Sequence, residues 1–168
     1  DPVMKKEVPW RDFKTMRGAI PRLNERFTRY REYGEASVEE MMGEGLKGMK
    51  ELSVTVLESV VMMNRGERLE CRALEGEVEY APVYGLCVGD YNGDGREDVF
   101  AGQNFFGTDA DTGRYDGGRG VWLRGDGRGG LEGVSGEESG VKVYGEGRGA
   151  ALCDYDGDGR VDLVVGQN

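Results

Sequence analysis

Oxygen-bearing side chains recur in this chain at a spacing that gathers them around one point. The first run is Asp90-Tyr91-Asn92-Gly93-Asp94-Gly95-Arg96-Glu97-Asp98, and the second is Asp154-Tyr155-Asp156-Gly157-Asp158-Gly159-Arg160-Val161-Asp162. Positions 1, 3, 5 and 9 carry the oxygens: Asp90, Asn92, Asp94 and Asp98, then Asp154, Asp156, Asp158 and Asp162. Position 6 is glycine, Gly95 or Gly159, which allows a tight turn and a positive φ without steric penalty. Carboxylates drawn together this closely repel one another strongly. A hard cation that takes about six to eight oxygens relieves that repulsion, and Ca²⁺ suits it best. Position 7 would add a backbone carbonyl, from Arg96 and Arg160, leaving those side chains free to point away. Two Ca²⁺ sites are expected, one per run.

An Asp- and Gly-rich surface turn is the plainer reading of a single copy, since these are ordinary turn formers. Two full copies in matching flanks argue for a site. The runs are not EF-hand loops, which need a bidentate Glu at position 12; Ala101 and Val165 stand there. The flanks are short apolar runs, Leu86-Cys87-Val88 and Val99-Phe100-Ala101, then Ala151-Leu152-Cys153 and Leu163-Val164-Val165. Such runs read as buried strands, so each loop joins two strands.

Strand, DxDxDGxxD loop, strand and a glycine-containing end together resemble the FG-GAP or VCBS repeat, the blade unit of integrin α-chain-like β-propellers. Phe100-Ala101-Gly102-Gln103-Asn104 and Val164-Val165-Gly166-Gln167-Asn168 occupy the place of that family's Phe-Gly-Gly-Ala-Pro stretch. The resemblance covers roughly residues 51 to 168. Its nearest form is that of bacterial exported proteins related to cartilage acidic protein. It implies a β-propeller segment with structural calcium, serving binding or adhesion outside the cytoplasm, at the cell surface or in the periplasm.

The repeat has a measurable period. Asp90 and Asp154 set it at 64, and 11 of the 20 positions aligned between 85–104 and 149–168 are identical. A hairpin at Val60–Met63, Asn64–Glu67 and Arg68–Arg72 has a counterpart at Val121–Leu123, Arg124–Gly127 and Leu131, with Asn64 placed against Arg124 at a period of 60. Four short strands per unit of about this length is the arithmetic of a propeller blade. The expected fold is mainly β: a half blade at 52–80 in which Leu52, Val54 and Val56 alternate as a strand, a full blade at 85–134, and a half blade at 149–168. Two or so blades make a partial propeller, completed by other blades or chains.

Residues 1–50 differ in kind. They carry 11 basic and 9 acidic side chains, against 11 and 23 in residues 51–168, for a net charge of −10 overall. Ile20, Leu23, Phe27 and Tyr30 form one apolar stripe ending at Gly34, and Ser37-Val38-Glu39-Glu40 is a capping box opening a second helix with Val38, Met41, Met42, Leu46 and Met49. The segment reads as an α-helical insertion whose methionines face the neighbouring sheet.

Several classes are set aside. An acidic, glycine-rich second part does not suit nucleic acid. No run is long enough to insert in a membrane. Histidine is absent, removing the commonest general base, and no Walker loop, CxxC or HExxH occurs, so the chain is read as no enzyme. A polysaccharide-acting module and a self-assembling structural repeat are the alternatives, each with structural calcium. Cys87 and Cys153 read as buried apolar residues, and the odd count with Cys71 is no disulfide framework. The chain starts at Asp1 and stops after a strand, which reads as part of a longer exported protein whose signal peptide lies elsewhere. Arg124-Gly125-Asp126 spells the tripeptide that integrins bind as a ligand, but it falls in the expected turn between two strands, and chance and turn chemistry account for it. The stretch Thr108–Asp116 is a long loop of calcium-loop appearance with Gly113 at the fifth position. The resemblance implies that such loops lie opposite the calcium loops and bind partners, which makes Arg114, Tyr115 and Asp116 on the loop and Phe106 just before it candidates for contact with a protein or glycan ligand.

Overall fold

Local chemistry decides where each element starts. A computed structural model of the chain describes residues 5–110 and 112–168, so Asp111 of the long loop lies outside the described residues. The chain forms two units, Asp1–Val54 and Thr55–Asn168.

The first unit is helical. Helix α1, Phe13–Ala19, begins where Asp12 accepts the Thr15 amide at 3.1 Å. Helices α2, Leu23–Arg26, and α3, Tyr30–Glu35, replace the single helix expected from the apolar stripe. The break falls at Phe27, which is extended, because Glu32 accepts the amides of Thr28 and Arg29 and so starts a new helix. Gly34 lies inside α3 rather than after it. Helix α4, Val38–Met42, opens on the expected capping box: Ser37 Oγ accepts the Glu40 amide at 3.0 Å and Glu40 accepts the Ser37 amide at 2.6 Å. It ends at Gly43, where φ is +53°, and continues as a 3-10 helix over Gly43–Gly48. The methionines do not form one stripe toward a sheet. Met41 and Met42 enter this unit's own core with Phe13, Leu23, Phe27, Tyr33 and Ala36, while Met49 is exposed. Phe13 stacks on Tyr33 at 4.9 Å between ring centroids.

The second unit is antiparallel β. Strands β1 (Val60–Asn64) and β2 (Leu69–Ala73) form a hairpin; β3 (Val83–Gly89), β4 (Asp98–Gln103), β5 (Val121–Gly125) and β6 (Leu131–Val134) form a four-stranded sheet in that order; β7 (Gly147–Cys153) and β8 (Asp162–Gln167) form a second hairpin. The short helix α5, Gly136–Ser139, lies between β6 and β7. Among the described residues the chain is mainly β, with antiparallel sheets and no closed barrel. Leu52, Val54 and Val56 are exposed and belong to no strand, since alternation makes a strand only where a partner supplies hydrogen bonds. The hairpin ladders end at Asn64–Leu69 and Gly125–Leu131, so Asn64 matches Gly125, a period of 61 rather than 60. Cys87 and Cys153 are half-buried, not buried, and all three cysteines are free.

Strand β4 is the centre of this unit. Phe100, Ala101, Val121 and Leu123 are buried, with Val78 packed against Ala101, Val121 and Leu123. The neighbouring hairpin approaches backbone to backbone. A Cβ on Gly102 would lie 2.9 Å from the Gly147 carbonyl oxygen, and one on Gly85 would lie 3.1 Å from the Gly149 nitrogen. The register irregularity at Val83/Gly85 recurs one repeat further on, at Gly147/Gly149.

At the end of β5, a Cβ on Gly125 would collide with the Glu97 carbonyl oxygen. Gly125→Ala should therefore destabilise the chain by about 1–3 kcal/mol, the usual effect of overpacking. Gly149, whose Cβ would meet nothing within 4 Å, is the control. Urea denaturation of the two alanine variants checks this; equal midpoints would mean that β5 shifts to make room.

Candidate metal centre

The β3–β4 and β7–β8 turns share the same backbone-amide hydrogen bonds, position for position. Gly93 and Gly95 have φ of +74° and +80°; Gly157 and Gly159 have +76° and +84°. These values favour glycine, so position 4 needs it as well as position 6. The turned backbone aims its amides inward. Asp90 accepts the amides of Asp94 and Gly95 at 3.0 and 2.8 Å, and Asp154 accepts those of Asp158 and Gly159, both at 3.0 Å. Asn92 Oδ1 and Asp156 Oδ1 also accept the Asp94 and Asp158 amides, and Asp94 and Asp158 accept those of Arg96 and Arg160.

Position 9 ties the turn to the sheet. Asp98 is fully buried; one oxygen accepts the Tyr91 amide at 3.3 Å and the other the Gly125 amide at 2.8 Å. Asp162 accepts the Tyr155 amide at 2.7 Å. Tyr91 holds the turn a second way, since its hydroxyl donates to the Cys87 carbonyl at 3.1 Å. Burial there raises the phenol above its ordinary value. Sequence reasoning noted Tyr91 and Tyr155 only as repeated residues; position 2 of a turn gives no sign that its amide seats the last aspartate.

Asp154, Asp156 and Asp162 each place one carboxylate oxygen within 4.8 Å of the others. Asp158 is outside that group, and among the described residues no second group of three acids meets the same spacing. In the first turn position 3 is Asn92, whose amide donates to Asp94 Oδ2 at 2.9 Å. The arginines at position 7 are not free, contrary to expectation. Arg96 pairs with Asp94 at 2.6 Å, and Arg160 pairs with Asp158 through Nε at 2.8 Å. A guanidinium two residues from a carboxylate in a negatively charged turn is drawn to it by charge. Burial resists ionisation of Asp94, but the Asn92 amide and the Arg96 guanidinium outweigh it and hold the carboxyl below its ordinary value. Arg160 does the same for Asp158, first through its side chain and then through its amide.

The opposite end of β4 is a different surface. Gln103 is buried and its amide donates to the carbonyls of Glu77, Val78 and Ala81 at 2.8–3.4 Å. Asn104, also buried, has φ of +83°; it donates to Gly118 and Tyr144 at 2.9 and 3.0 Å and accepts the Gly118 amide at 2.9 Å. Beside them an open cleft of about 230 Å³ is lined by residues including Tyr80, Asp116, Arg119 and Tyr144. Arg119 pairs with both Glu77 oxygens at 2.6 and 2.7 Å. Of the four candidate contact residues on or beside the long loop, Asp116 lines this cleft, while Phe106 is half-buried under the Arg114 guanidinium at 5.4 Å. The tripeptide Arg124-Gly125-Asp126 is not a turn: Arg124 and Gly125 end β5, Arg124 pairs with Glu138, and Asp126 accepts the Arg128 and Gly130 amides.

Residues 90–165 match the family model of FG-GAP-like repeats, and that stretch is an FG-GAP-like repeat. It starts on the first oxygen-bearing residue of one turn and ends in the strand leaving the other, so it contains both turns. A search of curated proteins finds no match to the chain.

Two tests follow from this geometry. Asp98→Ala leaves the buried Gly125 amide and the half-buried Tyr91 amide without acceptors, and should lower stability by about 1–3 kcal/mol. Asp162→Ala, with one amide and more water, should lower it less; denaturant melts of the two give the comparison. The Asp158 carboxyl is depressed from 3.8, so its pairing stabilises the folded chain above that pH and is lost as pH falls through the lower folded value. Arg160→Gln should thus melt earlier than wild type near neutral pH, with the gap closing in acid. A gap that stays constant below pH 3.8 would show that the guanidinium acts otherwise than by pairing with Asp158.

Proposed function

We propose that the chain is a calcium-binding segment of a β-propeller, that its two turns each hold one structural Ca²⁺, and that the protein serves binding or adhesion outside the cytoplasm. One observation carries the metal assignment: three aspartates of the second turn bring an oxygen each within 4.8 Å of one another. Oxygens on a common Ca²⁺, each about 2.3–2.6 Å from it, lie at most about 5 Å apart. The donor set fits. In the first turn Asp90, Asn92, Asp94, Asp98 and the Arg96 carbonyl would hold the ion; in the second, Asp154, Asp156, Asp158, Asp162 and the Arg160 carbonyl. Such an ion offsets the mutual repulsion of the carboxylates. For Asp94 and Asp158 to join it, the arginine pairing must yield, which makes the guanidinium an internal competitor.

The propeller reading is supported by the repeat match, by the four-stranded sheet and by the glycine-lined approach of the next hairpin to it. The cleft beside Asp116 and Arg119 lies at the end of β4 away from the turns, and is the surface for a protein or glycan ligand.

If the ions are structural, chelation lowers the melting temperature. Ligand at a hundredfold excess over Kd stabilises by about 2.7 kcal/mol. High salt in chelator should not restore the melt, because screening acts weakly on carboxylates packed around one point. Superimposable melts with calcium and with chelator would sink the assignment. Between the turns, the second has four aspartates and the first has three and an asparagine. Asp94→Ala should therefore retain the tighter calorimetric site and Asp158→Ala the weaker; the reverse order would mean that the buried anchor Asp98 outweighs charge.

A further inference from the structure

The cleft at the end of β4 holds polar atoms that the fold leaves unused. Gln103 is 2% exposed, and its Nε2 is shared among the carbonyls of Glu77, Val78 and Ala81. Its Oε1 accepts no hydrogen bond among the described residues, and the side chain lines the cleft. That oxygen is not sealed away: among the described residues Trp122 Nε1 is the one sealed side-chain atom without a partner. Gly118 keeps it uncovered, since a Cβ there would come within 2.7 Å of it.

Two charged groups stand beside it. The Asp116 carboxylate is exposed and pairs with nothing among the described residues. Arg119 serves both Glu77 oxygens from Nη2, so its Nε and Nη1 hydrogens have no acceptor among the described residues. The remaining wall is aromatic. Tyr80 and Tyr144 are each 63% exposed, and neither hydroxyl is hydrogen-bonded among the described residues. Tyr144 follows Tyr80 by 64 positions, as Asp154 follows Asp90, so two successive repeats each place a tyrosine on one cleft. Every residue lining the cleft lies between β2 and β7, away from both ends of the chain.

Free acceptors, free donors and aromatic faces around about 230 Å³ restrict what fits. Small-molecule pockets usually hold about 300–1,000 Å³, so the occupant is a small group. An organic cation is drawn to a carboxylate and to ring faces. It offers donors only, however, and meets the unused N–H groups of the Arg119 guanidinium, another cation. An anion suits Arg119 but is repelled by Asp116 and Glu77. A hydroxyl both donates and accepts, and so uses both kinds of free group at once. We propose, on the reading that this cleft is the ligand surface of the protein, that it binds one neutral sugar ring of a glycan. Hydroxyls of the ring donate to Asp116 and to Gln103 Oε1 and accept from Arg119, while its C–H face lies on a tyrosine ring, whose body is apolar.

Nuclear magnetic resonance of the labelled 168-residue chain in calcium tests this. The probes are the methyl glycosides of glucose, galactose, mannose and N-acetylglucosamine, and, separately, N-acetylarginine amide as an organic cation. At least one glycoside should shift the amides of residues 116–119 and the Gln103 side-chain amide in a saturable way. Asp116→Ala should weaken that binding about tenfold or more, the ordinary loss for a hydrogen bond to a charged group. At least one of Tyr80→Ala and Tyr144→Ala should weaken it as well, and the matching phenylalanine variant should keep most of it, since the ring carries the contact. These three side chains are exposed, so the variants should melt like wild type. Glycosides that shift nothing, or shift only residues elsewhere, overturn the proposal, and the wild type alone decides this. So does binding that Asp116→Ala, or both tyrosine variants, leave unchanged. If N-acetylarginine amide moves the cleft resonances and no glycoside does, the sugar assignment falls while the cleft stands as a ligand surface. If no probe moves them, both fall.

Discussion

A carboxylate with no access to water must have its hydrogen bonds supplied by the protein, and Asp98 is such a group. Its two oxygens accept one amide from the turn before β4 and one from the far end of β5. This single side chain therefore fixes three things together: the shape of the turn, the start of β4 and the position of β5 relative to both. Gly125 follows from it. Its amide must come close to Asp98, and that approach leaves no space for a side chain beside the Glu97 carbonyl. The turn's other acids are held on this frame by amides aimed inward.

The far end of β4 is organised by a second buried polar pair. Gln103 reaches back to the carbonyls of 77, 78 and 81, and Asn104 reaches forward to those of 118 and 144. Carbonyls in connecting segments have no ladder to satisfy them, and these amides do so. The backbone follows the same pattern twice: the Asn104 amide donates to Pro82 and, one repeat further on, the Asn168 amide donates to Glu146. The Gly102-Gln103-Asn104 end of the first repeat is thus a clamp between successive segments. Gly102 admits the next hairpin and the two side-chain amides tie the loops around it.

What could be read in the sequence was what is local. The hairpins and the four-stranded sheet announce themselves through alternation and turn residues, and the capping box at Ser37 through its spacing. Leu52–Val56 alternates as well as any of these, but lacks a partner strand, which alternation cannot report. The stripe from Ile20 to Tyr30 has helical spacing, yet Glu32 takes two amides and breaks it. Leu23 and Phe27 still reach the core, because burial depends on the face and not on one continuous helix. Gln103 and Asn104 stood out only as identities in the repeat. Their partners lie 14 to 41 residues away, beyond any local pattern. The arginine at position 7 was misjudged because a ligand count treats its side chain as a bystander, while the local charge does not.

The two turns differ in ways that separate shape from setting. Their backbones and internal amide bonds coincide, so nine residues of the right types suffice to make the shape. Their surroundings do not coincide: Asp98 is sealed beneath β5, while Asp162 is half-buried. The first turn spends one oxygen of its ninth residue on the sheet and carries a neutral amide at its third. The second has an aspartate at the third position and groups three carboxylates closely. Rigidity and charge are therefore divided between the sites. The better-anchored turn has the less repulsion to relieve, and the more highly charged one has the less framework to resist that repulsion. An ion at the second turn would stabilise a hairpin whose side chains are less buried than those of the four-stranded sheet.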